Sequence, residues 1–86
     1  MSRTITITGT FTELEAACEA AAKHVALTIE VVKVDGTKLY AALGSEGYKV
    51  GQIVPDNTSF GGAVLTIDTG WCEIETIVAI LEAVGR

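Results

Sequence analysis

The sequence predicts one α+β domain over residues 1–86, a five-stranded sheet with two helices on one of its faces. Short runs of β-branched and aromatic residues are separated by turn residues, as in antiparallel hairpins. Two other segments space their apolar residues at helical intervals. The predicted order is strand, helix, three strands, strand and helix. The sheet is expected to be mixed, with most of its neighbouring strands antiparallel.

The first two elements are a strand and a helix. Residues 3–8 alternate threonine and isoleucine, which is the period of a strand with one apolar face. Thr12 is the predicted helix N-cap because Glu15 follows three residues later, and Phe11 occupies the position of a hydrophobic staple. The predicted apolar stripe of this helix consists of Leu14, Cys18, Ala21 and Val25.

Residues 26–54 form the predicted centre of the sheet, a three-stranded antiparallel meander. Asp35-Gly36 is a strong hairpin signal, because a tight primed turn needs a positive φ that glycine tolerates. The four residues 44–47, which include two glycines, make the second reversal.

The pairing of the meander follows from its turns. With a two-residue first loop, Val31 would lie opposite Tyr40, and Tyr40 would cover Gly51 on the third strand. A three-residue loop with a glycine bulge would instead shift the register and reassign the faces of one strand. Both faces of the meander then carry bulky apolar side chains. One layer of helices cannot cover both faces, so we expect apolar surface to remain after the helices dock.

The last elements are a loop, a strand and a helix. Residues 55–62 are rich in turn formers and contain one aromatic residue, Phe60. Residues 63–68 are the last predicted strand. The second helix should begin between residues 69 and 72, capped by Asp68 or Thr69, and end at Gly85. Its predicted apolar stripe is Ile74, Ile77, Val78, Leu81 and Val84, with Ile80 and Trp71 outside the main stripe.

Composition and charge limit the classes of function. Hydrophobic residues make up 49% of the 86 residues, which is high for a domain whose core is necessarily small. No apolar run approaches the roughly 20 residues that span a membrane, and no signal peptide is evident. The surplus of hydrophobic residues is therefore expected to lie in a subunit interface. The net charge of −5 argues against nucleic acid, and two distant cysteines indicate free thiols in the cytoplasm.

One segment has a catalytic association. Residues 65–70, Leu-Thr-Ile-Asp-Thr-Gly, resemble the active-site motif of aspartic proteases, in which two such carboxylates pair. The segment after it is too short to supply that family's flap and later strand, and a helix follows at once. Trp71 also stands where a small residue is usual. The pattern therefore favours a helix cap at Asp68 over a catalytic carboxylate.

Cys72 and His24 are the other candidates for chemistry. Cys72 should lie near a helix N-terminus, which would lower the pKa of its thiol and raise its reactivity if the thiol is exposed. His24, the single histidine, falls at a helix end that favours a cation, which indicates a structural role. We predict no catalytic residue, no metal ligand set and no cofactor.

The leading hypothesis is a small acidic cytoplasmic interaction module that forms a homodimer and binds another protein. Small acidic inhibitors and accessory proteins of phages and mobile elements have this size and charge. Carboxylates concentrate on the helices and lysines on the meander, so a protein with a basic surface is the expected partner. The candidate binding residues are Phe60, Asp56, Asn57, Trp71, Glu15, Glu19 and Glu75. The candidate dimer interface is Ile29, Val31, Tyr40 and Ile53.

The alternative is a small-molecule-binding protein or a small enzyme. Its pocket would be lined by Phe60, Trp71, Tyr40 or Tyr48, because aromatic residues beside a glycine-rich loop are a common pocket wall. A concave cavity with convergent polar groups would support this alternative. A flat or convex charged face would support the interaction module.

Overall fold

A computed structural model describes residues 3–56 and 61–85. The order of the elements, β-α-β-β-β-β-α, confirms the predicted α+β fold. The elements are β1 Thr4–Thr10, α1 Phe11–Ala21, β2 Thr28–Val34, β3 Thr37–Ser45, β4 Tyr48–Pro55, β5 Gly62–Asp68 and α2 Ile74–Val84.

The five strands form one sheet in the order β1-β5-β4-β3-β2. All four neighbouring pairs are antiparallel, so the mixed pairing expected from the sequence is wrong. The chain avoids a parallel pair because β1 and β2, which α1 connects, lie at opposite edges of the sheet. β1 pairs instead with β5, for example Ile5 with Ile67.

Both helices contribute to one core on one face of the sheet, as predicted. Ile7, Leu65 and Ile53 occupy one cross-strand row and are buried. Leu14 of α1 and Ile80 of α2 belong to the same cluster. Fully burying an aliphatic side chain of this size contributes roughly 1.5–3 kcal/mol, so this row and the helices over it are the main source of stability.

The start of α1 differs from the prediction. Thr10, not Thr12, is the N-cap, and its hydroxyl accepts a hydrogen bond of 3.1 Å from the backbone N–H of Glu13. The sequence contains two overlapping Thr-x-x-Glu patterns, and the earlier one is used because β1 runs directly into the helix. Phe11, at the first helical position, is buried.

The start of α2 also differs. Glu73 is the N-cap and makes no side-chain capping bond, so the predicted caps Asp68 and Thr69 are wrong. Asp68 instead accepts a 2.9 Å hydrogen bond from the N–H of Gly70, and the Thr69 hydroxyl donates to the carbonyl of Arg3. Gly85, in the left-handed conformation with φ of 82°, ends the helix as predicted.

Two tight turns build the meander. Asp35 and Gly36 have φ of 51° and 78°, which confirms the predicted two-residue turn. The second turn is also a two-residue turn, at Glu46 and Gly47 with φ of 53° and 86°, and it is shorter than the predicted four-residue reversal.

Bulges then change the predicted register. A bulge at Leu39 of β3, opposite the end of β2, pairs Val31 with Ala41 rather than with Tyr40, which puts Tyr40 on the opposite face. A second bulge, in β4, leaves Leu43 rather than Tyr40 across from Gly51. A Cβ added at Gly51 would lie 2.5 Å from the carbonyl oxygen of Thr66, so no side chain fits there. Each bulge adds one residue to a strand, so the side chains beyond the bulge change from one face of the sheet to the other. The turn residues alone do not reveal this change.

Candidate functional site

Two exposed aromatic rings stack at one end of the sheet. The ring centroids of Tyr48 and Trp71 are 5.4 Å apart with an interplanar angle of 23°. Tyr48 begins β4 directly after the Glu46-Gly47 turn, and Trp71 lies between β5 and α2. They are 60% and 63% exposed. Stacking therefore fixes two large rings at the surface without hiding them, which leaves much of their area free for contact with another molecule.

Two further exposed apolar residues lie on α2, which begins three residues after Trp71. Ile74, the first residue of the helix, is 78% exposed, and Val78 follows one turn later on the same side. We call Tyr48, Trp71, Ile74 and Val78 the aromatic patch.

The predicted stripe of α2 is wrong at these two positions, because the helix turns Thr76 and Ile80 to the core instead. Ile80, which was predicted to lie outside the main stripe, is fully buried. The helix carries apolar residues on more than one side, so their spacing alone did not determine which side would meet the sheet.

Carboxylates surround the patch along the chain. Glu46 precedes Tyr48 by two residues, and Glu73 and Glu75 flank Ile74; all three are exposed. Glu46 adopts a left-handed conformation, with φ of 53°, that costs a residue with a Cβ about 1–2 kcal/mol. We call Glu46, Glu73 and Glu75 the acidic rim.

Two of the sequence-predicted binding residues, Trp71 and Glu75, belong to this site. Glu15 does not, because its carboxylate accepts a 2.7 Å hydrogen bond from the ammonium of Lys38 and is mostly covered. Glu19 is exposed on α1. The expected continuous acidic helical face is therefore interrupted at Glu15, which is occupied in holding β3 to α1.

The loop candidates lie elsewhere. Asp56 follows β4, and its backbone N–H donates to the carbonyl of Gly62 at 2.8 Å. That position is at the end of the sheet opposite Tyr48, because β4 runs from Tyr48 to Pro55. Asn57 and Phe60 lie outside the described residues.

The proposed dimer face combined residues from both sides of the sheet. Ile53 is fully buried in the core, and Ile29 and Val31 pack against that core. Tyr40 lies on the other face, because it pairs with Val32 rather than with Val31. The four residues therefore do not form one surface, and the physical reason is the bulge in the β2–β3 pairing.

The two cysteines are buried and poorly suited to nucleophilic chemistry. Burial raises the pKa of Cys72, and the carboxylates of Glu73 and Asp68 raise it further. The lowering expected for an exposed thiol does not apply, because Cys72 is buried; it also precedes the helix, and its N–H donates to the carbonyl of Asp68 at 3.0 Å. Burial also raises the pKa of Cys18 to about 12, with a further contribution from Glu19.

Two clefts at the surface of the described residues do not match the small-molecule alternative. One, of about 330 Å³, lies between α1, α2 and β1 and is lined largely by alanines, with Glu13 as its carboxylate. A second, of about 370 Å³, contains His24 and Glu82 among alanines. Tyr40, Tyr48 and Trp71 line neither of these clefts, so the aromatic wall expected for a pocket is not assembled from them.

Residues 3–56 and 61–85 bring together no group of histidine, cysteine and carboxylate side chains that could hold a metal ion. In that part of the chain neither helix, at 11 residues each, has the length and apolar character needed to cross a membrane. Comparison with known proteins found no matching protein family, no matching curated protein and no matching solved structure.

Proposed function

We propose that this protein is an interaction module that binds another protein through the aromatic patch. The observation that carries the proposal is the stacked and exposed pair of Tyr48 and Trp71. Tyrosine and tryptophan are enriched among the residues that dominate binding energy, because they offer large, rigid surfaces at a low cost in side-chain entropy. The stack restricts both rings before a partner arrives, which reduces that cost further.

The surroundings of the patch define the chemistry of the partner. Glu46, Glu73 and Glu75 place exposed negative charge within two residues of Tyr48 or Ile74 along the chain, and the whole chain carries a net charge of −5. A complementary segment has an aliphatic or aromatic residue between lysine or arginine residues.

The exposed rings can supply a useful share of the affinity. Burying roughly 100 Å² of each ring at about 25 cal/mol per Å² contributes about 5 kcal/mol in total. Translational and rotational entropy opposes this gain by a comparable amount. Ile74 and the charge pairs must therefore add to the rings, which makes Ile74 a second determinant of binding.

The protein carries its own reporter for a test, because Trp71 is the single tryptophan. A randomised peptide library is selected on the immobilised protein, and synthetic versions of the enriched peptides are titrated while Trp71 fluorescence is recorded. We expect enriched peptides to place basic residues around an apolar one and to shift the emission to shorter wavelength. Their affinity should fall as salt is raised, because charge pairs are screened.

Three variants test whether the peptides bind at the aromatic patch. Tyr48→Ala and Ile74→Ser should each weaken the peptides by about tenfold or more, which is about 1.4 kcal/mol, while leaving the reporter in place. Val34→Ser is the matched control, because Val34 is 52% exposed but lies beside the Asp35-Gly36 turn at the other end of the sheet. Peptides that bind Tyr48→Ala and Ile74→Ser as tightly as the unaltered protein would contradict the proposal.

A further inference from the structure

The sheet has a second face that neither helix covers. Both helices pack on the face that carries Ile7, Leu65 and Ile53. Alternation along the strands puts Val54 and Tyr40 on the opposite face, next to the buried pair of Ile53 and Ala41. We call this opposite side the open face.

An apolar row crosses the open face. Val64 pairs with Val54 between β5 and β4, and Tyr40 pairs with Val32 between β3 and β2. Val54 and Tyr40 meet in the middle, because Ile53, which precedes Val54, pairs in antiparallel register with Ala41, which follows Tyr40. Val54 and Tyr40 are 39% and 38% exposed, and Thr8 of β1 continues the row beside Val64.

The remaining open face is poor in charge and mostly polar, with the exposed Val34 near the end of β2 as an apolar exception. Threonine, glutamine and alanine side chains occupy the rows next to the apolar row, as at Thr66, Gln52 and Ala42. The charged residues of the strands lie at its margins, at Glu30, Lys49 and Asp68. Depletion of charge at the centre with charge at the rim is the arrangement found in protein interfaces.

The area of the open face is large enough for a dimer. Five strands spaced about 4.8 Å apart, each about seven residues long at about 3.3 Å per residue, cover roughly 550 Å² in projection. The pleat and the protruding valine and tyrosine side chains make the accessible area larger. Specific interfaces bury about 600–1,000 Å² on each partner, so a full pairing of two such faces reaches this range.

We infer that two copies of this chain associate face to face through their open faces, giving a four-layer assembly of helices, sheet, sheet and helices. The second copy is the occupant because the row is self-complementary about its centre. β4 is the middle strand, so a two-fold axis that runs parallel to it, midway between the two open faces, brings Val54 against Val54 of the second copy and Val64 against Tyr40. This inference uses a different surface from the aromatic patch and does not depend on the proposed function.

Sedimentation equilibrium at micromolar concentration tests the inference on the full chain. We expect a mass twice the 9.0 kDa of one chain. Val54→Arg should shift the equilibrium to the monomer by about 100-fold or more, because it buries two like charges on the axis. Its fold should survive, since Val54 is partly exposed, and circular dichroism with thermal unfolding checks this.

Ile74→Arg is the matched control, because it introduces the same charge on the helical side, away from the open face. It should leave the dimer intact while weakening the peptides selected on the aromatic patch. A monomer mass for the unaltered protein overturns the inference. A folded Val54→Arg variant that remains a dimer also overturns it and indicates another interface, such as pairing at the strand edges. Neither result changes the peptide measurements, so the two proposals fail separately.

Discussion

The ammonium of Lys38, on β3, donates a 2.7 Å hydrogen bond to the carboxylate of Glu15 on α1. The same ammonium lies 5.2 Å from the centre of the Phe11 ring. Among residues 3–56 and 61–85 this is the single ion pair between side chains. It joins the β2–β3 hairpin to the helix that β1 leads into, and it explains why an acidic residue on α1 is not available to a partner.

The strength of this pair can be measured by a double-mutant cycle. Lys38→Ala and Glu15→Ala, alone and together, should give a coupling free energy of about 0.5–1 kcal/mol, because the pair is partly exposed and screened. Lys38→Ala should cost more than Glu15→Ala, since it also removes the contact with Phe11. Urea unfolding provides the free energies. Additive single effects would show that the ion pair contributes nothing.

Among the described glycines, Gly51 has the least room for a side chain. Gly51→Ala should destabilise the protein by about 2–3 kcal/mol or prevent folding, because its Cβ would collide with the carbonyl oxygen of Thr66. Gly9→Ala is the control, since its Cβ would make only ordinary contacts of 3.6 Å with Glu13 and Leu14. Equal midpoints for the two variants in denaturant would contradict the predicted close approach.

Cys18 should make stability depend on pH in the alkaline range. Its pKa is about 12 in the folded protein and about 9.0 in the unfolded chain, so above pH 9 the unfolded chain loses the proton first. Stability should therefore fall as pH rises from about 9 toward 12, by roughly 2 kcal/mol at pH 10.5. Cys18→Ala should remove this part of the slope in urea unfolding. A variant with the same slope as the unaltered protein would exclude Cys18 as the cause.

Cys72 should be unreactive in the native state. Burial and the neighbouring carboxylates favour the protonated thiol, whereas alkylation requires the thiolate. Iodoacetamide near neutral pH should label Cys72 much more slowly than an unstructured cysteine, and urea should remove the difference. The Cys18→Ala variant isolates the signal of Cys72. Rapid labelling without urea would show that the thiol is exposed or activated.

The elements were predictable where local chemistry determines them. Asp35-Gly36 specifies a tight turn by its own backbone preference, and Gly85 ends α2 for the same reason. The bulges were not predictable, because they depend on how a strand packs against its neighbours. Gly51 illustrates this, since it is required by the nearby Thr66 carbonyl rather than by any turn.

The site was predictable only in part. Trp71 and Glu75 were singled out because one is a large aromatic and the other belongs to an acidic helix. Ile74 was assigned to the core, because an apolar residue at helical spacing is usually buried. Which side of α2 meets the core is decided by Thr76 and Ile80 packing inward, and this depends on contacts distant in the sequence.

The pairing of β1 with β5 has a consequence for synthesis in the cell. Ile5 cannot acquire its partner Ile67 until the ribosome has translated almost the whole described chain. At about 5–20 residues per second, β1 and α1 wait roughly 3–12 seconds with their apolar side chains uncovered. A pause in translation before residues 62–68 would lengthen this interval and increase capture of the nascent chain by chaperones.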